Sequence, residues 1–94
     1  MGYSRGCYWD EKKNELVIAC YGVSLGEFVD IVRSEIAPVW GHPGYPDQLR
    51  TADLIRGELY TVVFEEIDDG YGKFIKIITA WPATAAERKR YEQN

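Results

Sequence analysis

The clearest hydrophobic pattern lies between residues 58 and 91. Tyr60, Val62 and Phe64 alternate with Thr61, Val63 and Glu65, the period of two that a strand imposes on its faces. Asp68-Asp69-Gly70-Tyr71-Gly72 follows, a turn in which glycine supplies the positive φ of a tight reversal. Residues 74–81 then return as a second apolar run. Strict alternation places Ile75, Ile77, Thr79 and Trp81 on one face, with Phe74, Lys76, Ile78 and Ala80 on the other. Both runs are apolar on both faces, which predicts two central strands of a sheet covered by helices. Pro82 cannot donate to a ladder and ends the second strand. Thr84 with Glu87 three residues later is a capping box, so a short helix is expected from Ala85.

Upstream, the period changes to that of a helix. Over residues 24–34, Ser24 caps, Glu27 closes the box, and Val23 can staple onto Phe28. Leu25, Phe28, Val29 and Val32 fall on a single apolar stripe that reads as core packing. Residues 12–21 are ambiguous. Asp10 as N-cap and Gly22 just past the end frame a helix. The continuous apolar run over 16–21 equally suits a strand, in which case residues 15–21 would pair with residues 5–10 as a hairpin around Glu11 to Asn14. Residues 36–40 predict an edge strand, with Pro38 arguing for the edge. Residues 41–47 (GHPGYPD) read as an irregular loop, either a plain connection or a partly rigid binding loop. Residues 50–55 predict a further strand closing at the Arg56-Gly57 turn, and residues 1–6 a loose lead-in. The sum is one α+β domain over residues 1–94: two N-terminal helices, an antiparallel sheet of three or four strands, and a C-terminal helix. The sheet is expected to leave one face open to a ligand or partner.

Two blocks carry a family resemblance. The run from Ile75 to Thr84 (IKIITAWPAT), followed by Glu87-Arg88 and Tyr91, resembles the C-terminal signature of the BrnT family, roughly I-R-I-I-S-A-R-x-A-T-x-x-E-R-x-x-Y. Trp9-Asp10 and Gly22-Val23-Ser24 match the family's opening motif in spacing, which favours the helix over residues 12–21. The matching blocks cover about residues 8–30 and 57–92. The resemblance implies a RelE-like fold, a metal-independent endoribonuclease and a toxin of a type II toxin–antitoxin system. It further implies a cognate antitoxin of the BrnA kind, a homodimer or toxin–antitoxin hetero-oligomer, and a bacterial cytoplasm. Two departures matter. The family's first arginine is Lys76 here, which keeps the charge, and the arginine of S-A-R is Trp81, which does not. Val17, Cys20 and Tyr21 also stand where the family has polar residues. That face is therefore either buried in self-association or no longer serves the family's chemistry.

Composition changes this picture at three points. The net charge of −4 is unfavourable for a polyanion binder unless the charges are segregated. Acids gather at Glu65, Glu66, Asp68 and Asp69, and bases at Arg88, Lys89 and Arg90, so a two-sided distribution is available. Cys7 and Cys20 read as free thiols, and one histidine without a C-x-x-C pair gives no basis for a metal or cofactor. No apolar run reaches the roughly 18 residues of a membrane span. No basic-then-apolar leader opens the chain, so secretion is not expected.

Metal-independent RNA cleavage needs a base for the 2′-hydroxyl, cations for the charged phosphorane and an acid for the leaving oxygen. Lys76 and Arg88 are the candidates for the phosphate; Glu87, His42 and Tyr91 are those for proton transfer. His42 is of the residue type best suited to either role near neutral pH. Glu87 is also claimed by its capping box, and Tyr91 by packing of the last helix. Lys76, centred in an apolar strand, needs a carboxylate, a ligand or a route to solvent. Arg88 and Lys89 also suit the C-terminal half of a helix as a solvated face. Arg50, Trp81 and Lys89 are candidates for binding RNA or a partner. Tryptophan in place of arginine exchanges a phosphate clamp for a base-stacking platform or an extension of the core. Two functions stay open: a toxin ribonuclease of weakened activity, and a non-catalytic interaction module that keeps the fold.

Overall fold

A computed structural model describes residues 2–93 of the chain. The elements are β1 (Gly2–Ser4), β2 (Cys7–Trp9), α1 (Glu11–Tyr21), a 3-10 helix (Leu25–Phe28), α2 (Val29–Val32), β3 (Val39–His42), β4 (Tyr45–Ile55), β5 (Glu58–Asp68), β6 (Lys73–Pro82) and α3 (Ala85–Glu92). The strands form one sheet in the order β1-β2-β6-β5-β4-β3. All neighbours are antiparallel except β2 and β6, which run parallel. The domain is α+β, as the pattern predicts, and β5 and β6 are interior strands.

The sheet is larger than the pattern predicts: six mixed strands, not three or four antiparallel ones. Residues 1–6 read as a loose lead-in from sequence. Instead Gly2–Ser4 pairs with Cys7–Trp9 through a turn at Arg5-Gly6, whose φ angles of 48° and 80° are both left-handed. Three-residue strands carry too few alternations to show a period. The expected loop over 41–47 is the β3–β4 hairpin, with His42 opposite Tyr45. The helix over 24–34 splits into a 3-10 turn and a single α-turn. Its stripe nonetheless packs as expected, with Leu25, Phe28, Val29 and Val32 all buried.

Local signals account for the ends of elements. Asp10 Oδ1 accepts from the Lys12 and Lys13 N–H groups at 2.8 and 3.1 Å, and Gly22 closes α1 at φ 74°. The helix reading of residues 12–21 therefore holds, and the competing hairpin does not form. Arg56 and Gly57, at φ 51° and 80°, turn β4 into β5. Arg56 ion-pairs with Glu27 and donates to the Gly22 carbonyl, tying that turn to the helical layer. Both cysteines are free.

The two faces of the sheet are covered differently. Val17, Leu25, Phe28, Val29 and Val32 join Cys7, Trp9, Val62, Phe64, Ile77 and Ala80 in the main core. On the opposite face Ala52, Leu59, Thr61 and Val63 are also buried, at the end where α3 packs beside β4. A bulge in β6 decides what else reaches that second face. Phe64 pairs with Ile77 but Val63 pairs with Thr79, so Ile78 is an extra residue and the alternation reverses there. Strict alternation would keep Trp81 and Thr79 on the face of Ile75 and Ile77. The bulge turns them to the face of Lys76, and puts Ala80 into the core.

Candidate functional site

The α3 face gathers the most chemistry. Trp40 lies directly opposite Arg50 in the β3–β4 ladder, and cross-strand partners project to the same face. The Arg50 guanidinium carbon sits 5.3 Å from the Trp81 ring centroid, and that of Arg90 5.4 Å from Trp40. Both are within cation–π range. The Trp81 indole N–H then donates to both carboxylate oxygens of Glu87, at 2.9 and 3.2 Å. Arg90, Trp40, Arg50, Trp81 and Glu87 thus alternate cation, ring, cation, ring and carboxylate across three strands and a helix. Arg50 forms no ion pair among the described residues, and its buried Nε–H has no acceptor. A ring face holds this guanidinium where a carboxylate does not, which leaves its charge available.

Glu87 is the anchor of the group. It is 8% exposed. Oε1 accepts the Thr84 backbone N–H at 2.8 Å, and Thr84 Oγ1 accepts the Glu87 N–H at 3.2 Å, completing the capping box. Burial alone would push the Glu87 carboxyl up. Bonds from the Thr84 N–H and the Trp81 indole, with the Thr61 and Thr84 hydroxyls close by, outweigh it and hold Glu87 below its ordinary value of 4.5. Such a group stays ionised at neutral pH with its lone pairs occupied, which makes it a poor general acid and a weak base.

The other candidates for chemistry lie apart. Lys76 is exposed and pairs with Glu65 across the ladder, whereas Trp81 pairs with Thr61. Those four ladder steps put Lys76 about 13 Å from Trp81 along the strand. His42 ends β3 at the hairpin tip, where Nδ1 accepts the Gly44 N–H at 3.0 Å and the ring leans on Tyr45. Tyr91 donates its hydroxyl to Asp53 Oδ1 at 3.2 Å. Burial, reinforced by the Asp53 charge, pushes that phenol up, away from use as a proton donor near neutrality. Arg88 and Lys89 are exposed on α3 and form no ion pair among the described residues.

The structure therefore joins Arg50, Trp81 and Glu87, and separates them from Lys76 and His42. Trp40 and Arg90 belong to the cluster although sequence reasoning missed them. Between Gly41 and His42 the pairing jumps from Leu49 to Tyr45, so counting outward from the turn would not have aligned Trp40 with Arg50. No group of three or more His, Cys, Asp or Glu among the described residues is arranged to hold a metal. No family model matches the chain, and no curated protein matches it.

Proposed function

We propose that the protein is a BrnT-like member of a toxin–antitoxin pair that engages single-stranded RNA on the α3 face, with cleavage weakened or lost. The observation that carries this reading is the alternation of arginine and tryptophan ending on the Trp81–Glu87 bond. Tryptophan faces accept unpaired bases, and a stacked arginine that lacks a carboxylate partner is free to take a phosphate. Reduced cleavage follows from the same contacts. The capping box and the Trp81 indole occupy Glu87, and Asp53 occupies Tyr91. Lys76 stands too far along β6 to share a phosphate with them. The resemblance supports the assignment because its C-terminal block is β6 and α3, which build this face. A RelE-like arrangement and a cytoplasmic site of action belong to the same reading.

The test is inducible expression of wild type beside Arg50→Ala and Trp81→Ala, following growth, RNA integrity and anisotropy of a labelled oligoribonucleotide. RNA binding by wild type that falls about tenfold in each variant is the expected result. Efficient cleavage by wild type refutes the weakened activity, and unchanged binding in both variants refutes the site. A second reading, a non-catalytic module for a partner protein, is favoured by α1, where Leu16 is 59% exposed and Ile18 and Tyr21 are also open to solvent.

A further inference from the structure

A groove runs between α1 and β6, and neither Trp40 nor Trp81 is among the residues that line it. Lys12, Lys13 and Lys76 surround an aliphatic floor of Leu16, Ile77 and Ile78. Lys12 and Lys76 also border an adjoining hollow beside Tyr8 and Glu11. None of the three lysines forms an ion pair among the described residues. Asp10, the acid at the groove, already accepts two backbone N–H groups at the start of α1. In a chain of net charge −4, three lysines around one groove are a local reversal of sign. The apolar lining continues along α1, since Cys20 lies one turn beyond Leu16 and is likewise exposed.

We propose that this groove docks an acidic amphipathic segment of a partner protein, with carboxylates on the lysines and aliphatic side chains against Leu16 and Ile78. The proposal rests on the partner-binding part of the function above and supplies its surface and chemistry. Charge complementarity selects an acidic ligand, and the floor selects a peptide over RNA. An aliphatic floor rewards burial of aliphatic side chains, whereas unpaired bases seek ring faces, and no ring is among the residues that line this groove.

The test uses the whole protein and a fluorescein-labelled peptide of repeated Glu-Leu-Glu-Glu-Leu-Leu, about 12 residues long to match a helix in a groove. Anisotropy should show saturable binding that falls about tenfold in Lys12→Glu/Lys13→Glu, where like charges now face each other. Leu16→Ser, which leaves the charge intact, should weaken it about fivefold through lost burial. Arg50→Ala should bind the peptide like wild type. Absence of peptide binding by folded wild type overturns the proposal. So does equal binding of an all-glutamate peptide, which would reduce the groove to a charged patch. Displacement of the peptide by an oligoribonucleotide whose own affinity drops in Lys12→Glu/Lys13→Glu also overturns it, in favour of an RNA surface. The RNA reading of the α3 face is judged separately, by Arg50→Ala and Trp81→Ala.

Discussion

Glu87 shows how one side chain can be withdrawn from chemistry by the structure it supports. Its carboxylate caps α3, holds the Trp81 indole and lies beside the Thr61 hydroxyl. Glu87→Ala is expected to cost about 1–3 kcal/mol, because it removes a cap and leaves a part-buried indole N–H without its acceptor. Urea denaturation would measure that loss. The pH dependence has a definite sign. A carboxyl held below its unfolded value stabilises the fold above that value, and this contribution is lost as pH falls through the folded value. Acid unfolding from about pH 5 downward should therefore be shallower in Glu87→Gln than in wild type, followed by circular dichroism. Equal slopes would mean the carboxylate is not tuned in solution. Gly2 makes a second case at this scale. A Cβ placed there would lie 1.9 Å from the Trp9 indole nitrogen. Gly2→Ala should thus destabilise by about 1–3 kcal/mol through overpacking, readable as a lower thermal midpoint.

At the scale of elements, capping residues were the most legible part of the chain. Asp10, Gly22, Thr84 and Glu87 each act where their type and spacing place them, because caps depend on neighbours three or four residues away. The continuous apolar run over 16–21 was the hardest to read. It forms a helix in which only Val17 is buried, so its hydrophobicity does not report a core position. The bulge at Ile78 was not legible at all. One inserted residue reverses every later side chain of β6, and nothing in Ile77-Ile78-Thr79 marks it locally. The candidate site inherits that blindness, since the bulge is what carries Trp81 to Arg50 and Glu87. The Arg56-Gly57 turn offers a clean test of backbone conformation. Gly57 has φ 80°, and a methyl group added there would meet no heavy atom within 4 Å. Gly57→Ala should cost about 1 kcal/mol from left-handed strain alone, measurable as a shift in the urea midpoint.

For the whole molecule, charge and hydrophobicity are segregated more than the totals suggest. The tryptophan–arginine row lies on the α3 face, and the lysine groove opens between α1 and β6. RNA held by Arg50 and Arg90 should show modest salt dependence. Single-stranded binding loses about 0.7 in logarithmic slope per phosphate contact, so two contacts give a slope of about −1.4, and Arg50→Ala should bring it to about −0.7. A steeper wild-type slope would show that the lysines take part as well.

The parallel pairing of β2 with β6 has a consequence for biogenesis. Cys7 and Tyr8 lie beside Ile75 and Lys76, partners separated by 68 positions in the chain (75 minus 7). At a synthesis rate of about 5–20 residues per second, the early hairpin waits several seconds for its neighbour. Until β6 leaves the ribosome, Cys7 and Trp9 have no sheet to enter, and the row through Trp81 and Arg90 does not yet exist. A nascent chain halted before β6 therefore has no α3 face to offer, and the order of translation itself delays every contact made there.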